Sequence, residues 1–253
     1  MSREDLKDFW RKPLYLIVKN LEQFGAKHFA AIIGATPDIV DRFRPFNQNV
    51  LNINNYPLVR EIKSEFIPSR LKERAICYLG NMSEERGIIP LIESLAYHDI
   101  KLHIVGNIYP PELKENLKKL AGWQNVIDNG YLNRDDAQKV IRKCRLSVLT
   151  FLPTPHHLTC QPAKLYEYLA NGLPVIASNI EHWESIILDK KVGVTVDPSN
   201  SKAIAEVTLK LIDDKNTCDH YSRNAIELIE TKVNWDVESK KLLKLYSSIK
   251  SHT

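Results

Sequence analysis

The chain of 253 residues has only four cysteines, nine glycines and two methionines. The cysteines lie far apart and form no CxxC pair, so neither a disulfide framework nor a structural zinc site is expected. The small number of glycines excludes collagen-like and low-complexity chains. No run approaches the roughly 18–20 apolar residues that a membrane-spanning helix needs. The residues after Met1 also lack the apolar stretch of a secretory signal, and together these absences predict a reduced, cytoplasmic chain.

A strong excess of one charge sign is also missing. The 35 Lys and Arg residues nearly balance the 31 Asp and Glu residues, which gives a net charge of +4. Residues of both signs are intermixed along the chain. Proteins that bind nucleic acid usually concentrate basic residues on one face, so no nucleic-acid partner is expected. A small phosphorylated ligand suits this balance equally well. A chain with 43% hydrophobic residues is long enough to bury a substantial core.

Short apolar runs alternate with helical stretches from about residue 75 to 213. The predicted strands are Ala75–Leu79, Lys101–Val105, Asn125–Ile127, Leu146–Phe151, Val175–Ser178 and Val192–Val196. The predicted helices between them include Pro110–Ala121, Arg134–Lys143 and Ala163–Ala170. Strands joined by helices of this length predict an α/β fold, with a parallel sheet and helices on both faces.

The two ends of the chain do not follow this alternation. Residues 1–57 read as a mostly helical remnant of another domain, with a single strand at Phe29–Ile33 and an interruption of the first helix at Pro13. Residues 58–232 form the predicted α/β domain, and residues 233–253 form a C-terminal amphipathic helix.

The predicted first helix carries an apolar stripe with basic neighbours. Its members are Leu6, Phe9, Trp10, Leu14, Ile17 and Leu21. Such a stripe marks an interface, which predicts self-association or a partner chain through residues 6–24. Packing back on the same chain explains the stripe as well, and the basic residues make peripheral contact with an anionic membrane a third interpretation.

The loop after the first predicted strand of the α/β domain offers a phosphate site. Gly80 allows backbone N–H groups to approach a phosphate, and Arg86 can supply a bidentate contact. Neither GxGxxG nor GxxxxGK[ST] is present, which disfavours a nicotinamide dehydrogenase and a P-loop NTPase. An ordinary βα turn with a surface arginine explains the loop equally well.

The segment Gln161–Ala177 is the most informative part of the sequence. Lys164 and Glu167 lie three residues apart on a helix that follows a strand end. A lysine there can neutralise phosphate, and a carboxylate can accept hydrogen bonds from vicinal hydroxyls, which is the chemistry of holding a ribose and a diphosphate. Spacing alone also permits a surface ion pair.

These residues resemble the donor-domain signature of GT-B glycosyltransferases, most closely glycosyltransferase family 4 (group 1). The Glu167–Val175 run resembles the family's Glu-Ala/Tyr-Met/Leu-Ala-x-Gly-x-Pro-Val block, and the Gly80, Gly106 and Gly130 loops follow in the family's order. The resemblance covers about residues 50–250. It implies a Rossmann-like donor domain, with most of the N-terminal, acceptor-facing domain missing.

The resemblance assigns roles to particular positions. It implies that Glu167 holds the ribose hydroxyls and that Arg86 contacts the diphosphate. Asn81 stands where the family has a second basic residue, and Thr159 stands where it has the first glutamate of its E-x7-E motif, while Lys164 matches a Pro-x-Lys subgroup. The implied donor-binding residues are Gly80, Asn81, Arg86, Gly130, Tyr131, Leu132, Thr159, Lys164, Leu165 and Glu167.

The implied function is transfer of a sugar from a nucleotide diphosphate donor to an acceptor hydroxyl, in polysaccharide or glycoconjugate synthesis, with retention of anomeric configuration. The nucleotide sugar is then a substrate; no cofactor or metal is expected, and the catalytic residues are not identified. The expected location is cytoplasmic, at the inner face of a membrane if the first helix contacts lipid. Two alternatives stay open: a non-catalytic donor-binding module that needs a separate acceptor-binding chain, and a sugar-nucleotide epimerase.

Overall fold

The computed structural model describes residues 8–61 and 65–250. The chain divides into two compact units, one of Met1–Asn55 with Glu238–Thr253 and one of Tyr56–Val237. The sequence-based boundaries after residues 57 and 232 stay predictions. Within the described residues, no helix is both long enough and apolar enough to cross a membrane.

The smaller unit contains a two-stranded parallel sheet. Its elements are α1 (Asp8–His28), β1 (Ile32–Gly34), α2 (Pro37–Phe43) and β2 (Val50–Asn52). Ile32 pairs with Val50 and Gly34 with Asn52, so α2 is the crossover between two parallel strands. The expectation of a single strand is therefore wrong. The second strand gives little signal in the sequence, because it is only three residues long and ends in the polar Asn52.

The first helix continues through Pro13, so the predicted interruption is wrong. Pro13 is the sixth residue of the helix as described, and it removes only its own N–H from the backbone hydrogen bonds. Leu21 and Phe24 are each 65% exposed. Of the predicted stripe, Leu6 lies outside the described residues, as do the side chains of Phe9 and Trp10, and an interface through residues 6–24 stays a prediction.

The larger unit is built on one parallel sheet of six strands. They are β3 (Glu73–Leu79), β4 (Lys101–Val105), β5 (Val126–Asp128), β6 (Cys144–Leu149), β7 (Val175–Ser178) and β8 (Gly193–Val196). Their order across the sheet is β5-β4-β3-β6-β7-β8, and every neighbouring pair is parallel. Most residues of β3, β6 and β7 are fully buried, as a sheet covered on both faces requires.

Seven helices of the larger unit and one that ends the described chain complete the fold. They are α3 (Ile88–Ser94), α4 (Pro111–Leu117), α5 (Arg134–Lys143), α6 (Ala163–Ala170), α7 (Glu181–Ile187), α8 (Ser201–Asp213), α9 (Lys215–Thr231) and α10 (Trp235–Lys250). The helices of the larger unit cover both faces of its sheet, which confirms the predicted α/β fold class. The predicted bounds of β4, β7, α5 and α6 coincide with the observed ones, whereas α4 is shorter than predicted at both ends.

Buried Lys72 precedes the central strand β3 and is only 8% exposed. Its Nζ donates to the carbonyl oxygen of Gly172 at 3.3 Å. Burial lowers the pKa of Lys72 from 10.5 to about 8; nearby Cys77 opposes this shift and Arg142 adds to it. Below pH 8 the folded chain must therefore hold a buried ammonium group.

Lys72→Met should stabilise the chain at pH 7. A pKa lowered from 10.5 to about 8 corresponds to about 3 kcal/mol of destabilisation, partly offset in the variant by the lost hydrogen bond to Gly172. Between pH 8 and 10.5 the unfolded chain holds a proton that the folded chain has released, so the stability of the wild type rises with pH in this window. Urea unfolding at pH 7 and pH 10 should show that rise in the wild type and a smaller one in Lys72→Met.

The matched control is Lys210→Met, which removes an exposed lysine of α8. It should leave the pH dependence unchanged. A Lys72→Met variant whose stability rises between pH 7 and pH 10 as much as that of the wild type would contradict the assignment.

Candidate functional site at the carboxyl edge of the sheet

A cleft of about 570 Å³ opens at the carboxyl end of β3. The chain runs from β3 through β4 and β5 on one side of the sheet and then continues at β6 on the other side of β3. Open α/β sheets bind ligands at such a switch point, outside the carboxyl ends of the strands. The cleft is lined by Leu79, Gly80, Tyr131, Leu132, Arg134, Ala137, Gln138, Ile141, Ala163, Lys164, Glu167 and Asn171. Its walls are thus the β3 end, the loop before α5, the α5 helix and the α6 helix.

Gly80 lets the Lys164 side chain lie directly against the strand end. Its φ is +102°, in the left-handed region. A Cβ at position 80 would overlap the Lys164 Cε atom and come within 2.7 Å of Nζ. On the other side, a Cβ at Gly106 would overlap the carbonyl oxygen of Gly80. The two glycines therefore permit a close packing of backbone that leaves a lysine ammonium over the end of β3.

The electrostatics of the cleft favour an anionic ligand. Burial lowers the pKa of Lys164, the charge of Arg86 lowers it further, and Glu167 opposes the shift. Burial raises the pKa of Glu167, while Lys164 and Arg134 oppose that shift. Lys164 and Arg86 are close enough to repel each other, and an anion between them would relieve the repulsion.

Arg86 ends a short 3₁₀ turn, Glu84–Arg86, just outside the cleft lining. Its Nη1 donates to the carbonyl oxygen of Asn81 at 2.5 Å, and its guanidinium lies 5.6 Å from the ring centroid of Phe151. Phe151 in turn packs against Trp183 with 5.6 Å between ring centroids. This support holds the half-buried guanidinium near Lys164.

The loop between β6 and α6 is held by hydrogen bonds to its backbone. The carbonyl oxygen of Cys160 accepts from Trp183 Nε1 at 2.9 Å and lies 2.6 Å from His182 Nε2. Since a carbonyl can only accept, Nε2 of His182 carries the proton. These bonds fix the chain three residues before α6 and thereby help to set the position of Lys164.

The structure brings five of the sequence-predicted site residues together in the cleft: Gly80, Tyr131, Leu132, Lys164 and Glu167. Gly130 precedes them in a left-handed turn with φ +62°. Their part in donor binding stays a prediction.

Five of the predicted residues do not line the cleft: Asn81, Arg86, Gly130, Thr159 and Leu165. Thr159 is exposed, with its hydroxyl oxygen 3.5 Å from the carbonyl oxygen of His156. Leu165 is fully buried in the core, because it lies on the sheet side of α6. A direct contact of the Leu165 side chain with a ligand is therefore not supported.

Sequence reasoning missed Arg134, Gln138 and Asn171, which also line the cleft. Arg134 and Gln138 belong to α5, and polar residues in a helix are typical of a face exposed to solvent. Asn171 reads as a helix-ending residue beside Gly172. Their positions in the sequence could have indicated them. Arg134 and Gln138 follow the Gly130 turn directly, and Asn171 lies four residues after Glu167, on the same side of the helix.

In the part of the chain that the structure describes, no group of three or more His, Cys, Asp and Glu side chains is arranged to hold a metal ion. The polar side chains that line the cleft are two cations, one carboxylate, two amides and one phenol: Arg134, Lys164, Glu167, Gln138, Asn171 and Tyr131. This set suits hydrogen bonding to a phosphorylated organic ligand.

The family follows from a match over two thirds of the chain. Residues 59–228 match the family model described as glycosyl transferases group 1. The chain belongs to this family. The resemblance of its sequence to group 1 glycosyltransferases is thereby confirmed.

Individual relatives agree with the family match but are longer proteins. The chain is 24% identical over 184 residues to a phosphatidyl-myo-inositol mannosyltransferase of Mycolicibacterium smegmatis, covering 70% of this chain and 45% of the relative. It is 32% identical over 276 residues to a sucrose synthase of Denitrovibrio acetiphilus, covering 91% of this chain and 33% of the relative. This chain therefore spans less than half of the length of either relative.

A solved structure shows the same fold. Anabaena HepE, determined in complex with UDP, has a TM-score of 0.73 and 17% sequence identity, covering 98% of this chain and 70% of that one. The likeness confirms the GT-B fold of the described residues.

Proposed function

We propose that this group 1 glycosyltransferase chain binds a UDP-sugar in the cleft and supplies the donor site for transfer of the sugar to an acceptor hydroxyl. The observation that carries the proposal is the convergence of Lys164, Glu167 and the Gly80 strand end in one cleft at the carboxyl edge of the sheet. The UDP in the HepE structure supports the choice of nucleotide.

The positions of Lys164 and Glu167 along α6 determine which part of the nucleotide each residue contacts. Lys164, beside Gly80 and near Arg86, holds the diphosphate. Glu167 lies three residues further on, about 4.5 Å along the helix axis, and its carboxylate accepts hydrogen bonds from the two ribose hydroxyls. The loop of Tyr131 and Leu132 then lies on the side of the base.

The proposed chemistry places positive charge where negative charge develops. The bond between the anomeric carbon and the diphosphate oxygen breaks, a bond from the anomeric carbon to the acceptor oxygen forms, and the proton of the acceptor hydroxyl passes to the departing diphosphate. Lys164 and Arg86 stabilise the leaving diphosphate without rearrangement, since both are already held by packing. No residue of the chain is assigned as the base for the acceptor proton.

We further propose an acceptor of the polysaccharide or glycoconjugate class and a cytoplasmic location. The names of the relatives are those of sugar-transferring enzymes and support transfer rather than a binding module alone. We also propose self-association through residues 6–24, or contact of this segment with a membrane surface, because apolar residues of α1 are exposed.

The proposed function is tested with Arg86→Ala and calorimetry of UDP and uridine. Because Arg86 acts on phosphate oxygens, the variant should bind UDP at least tenfold more weakly and uridine unchanged. The control Arg70→Ala removes an exposed arginine outside the cleft and should leave both affinities unchanged. An equal loss for UDP and uridine, or a wild-type chain that binds no nucleoside diphosphate, would contradict the proposal.

A further inference from the structure

Two helices bring opposite charges together in the cleft. Arg134 is the first residue of α5, whereas Lys164 and Glu167 lie about one turn apart on α6. All three side chains line the cleft, and the phenol of Tyr131 is the other titratable group of the lining. The cleft thus holds one carboxylate together with two cations, and one of these cations comes from a helix that is distant in sequence.

The two cations act on Glu167 through their charge. Burial raises the pKa of the Glu167 carboxyl, and the charges of Lys164 and Arg134 oppose this shift. Neither of these two cations donates a hydrogen bond to the carboxylate. A carboxylate can only accept hydrogen bonds, and a direct ion pair would use lone pairs that the hydroxyl groups of a ligand need. The arrangement therefore favours the charged form of Glu167 and leaves its oxygen atoms to a ligand.

Arg134 is the cation whose effect on Glu167 does not depend on the bound diphosphate. In the proposed function Lys164 holds the diphosphate, whose negative charge offsets the effect of the lysine on its neighbours. Arg134 lies on the other helix, at its amino end. The amino end of a helix carries partial positive charge and disfavours a cation. A residue that departs from such a local rule is expected at a functional site.

We propose that Arg134 is a positioning residue that holds the Glu167 carboxylate in its charged form for the ribose hydroxyls. This inference rests on the proposed function and adds a residue that need not touch the nucleotide. A neutral carboxyl group accepts hydrogen bonds less strongly than a carboxylate does. Without the charge of Arg134 the effect of burial is less opposed, so Glu167 takes up a proton at a higher pH. The affinity for the donor should then fall at acidic pH and stay close to the wild-type value at neutral pH.

The test measures UDP-glucose binding by calorimetry at pH 5 and pH 7, because the diphosphate of this ligand carries no proton that titrates in this range. Arg134→Gln should bind about three- to tenfold more weakly than the wild type at pH 5, and within about twofold of it at pH 7. Arg134→Lys keeps the charge and should follow the wild type at both pH values. The control Lys139→Gln removes a cation of α5 that pairs with Asp136 outside the cleft lining, and it should also follow the wild type.

The outcomes separate this inference from the function on which it rests. In a Glu167→Gln background, Arg134→Gln should have the same effect at pH 5 and pH 7, because the group on which it acts is gone; a loss confined to pH 5 that persists there overturns the inference. In the single variant, an unchanged affinity at pH 5 overturns it, and so does an equal loss at both pH values, which would indicate direct contact with the ligand or a role in folding. A wild-type chain that binds no UDP-glucose overturns the proposed function, and this inference with it.

Discussion

Replacing Glu167 by alanine is expected to weaken UDP binding at least tenfold while the chain stays folded. The carboxylate is held on α6 beside Lys164 in the cleft, and hydrogen bonds to a charged group contribute about 1.5–3 kcal/mol. Calorimetry of UDP with the purified variant measures the loss. Since the contact is to the ribose, uridine should lose affinity by a similar factor, in contrast to Arg86→Ala.

The control for this prediction is Glu206→Ala, which removes an exposed carboxylate of α8. It should bind UDP as the wild type does. A Glu167→Ala variant that keeps wild-type affinity would remove Glu167 from the site. A loss confined to UDP would show that Glu167 acts through Lys164 and not on the ribose.

The largest expected loss of stability comes from Gly87→Ala. Gly87 joins the Arg86 turn to α3 with φ +68°. A Cβ there would overlap the carbonyl oxygen of Thr150 and lie 2.9 Å from its carbonyl carbon. Backbone atoms cannot move aside as a flexible side chain can, so overpacking adds to the strain of a left-handed alanine. We expect a loss of about 2–4 kcal/mol in the free energy of unfolding.

Gly130→Ala is the matched control for this prediction. Gly130 has nearly the same φ, +62°, but a Cβ there meets no atom within 4 Å. The free energy of unfolding of Gly130→Ala should therefore fall only by the backbone strain of a left-handed alanine, about 1 kcal/mol. Urea unfolding of both variants measures the difference. Equal losses would show that the Thr150 contact relaxes at little cost.

The sheet of the larger unit could be predicted because its signals are local. Strands β4 and β7 are apolar runs bounded by turn residues, and α6 ends at Asn171–Gly172, a strong helix-ending pair. The pairing of β1 with β2 could not be predicted in the same way. Its strands are three residues long and are joined through α2, so only the folded arrangement reveals them.

In the candidate site, too, residues that are close in sequence could be predicted, whereas residues that only the fold brings together could not. Lys164 and Glu167 were found from one stretch of sequence. Arg134 and Gln138 were missed because they belong to α5, and only the fold brings that helix against α6 across the cleft. The buried, unpartnered Oδ1 of Asn171 is a property of packing, which no spacing of residues encodes.

The most direct test of the central claim is a crystal structure of the chain with UDP. The diphosphate is expected within hydrogen-bond distance of Lys164, and the ribose hydroxyls are expected on the Glu167 carboxylate. A nucleotide bound elsewhere would contradict the claim. One such place is the pocket formed by Lys190, Lys191 and Lys232 between the end of α7 and α9.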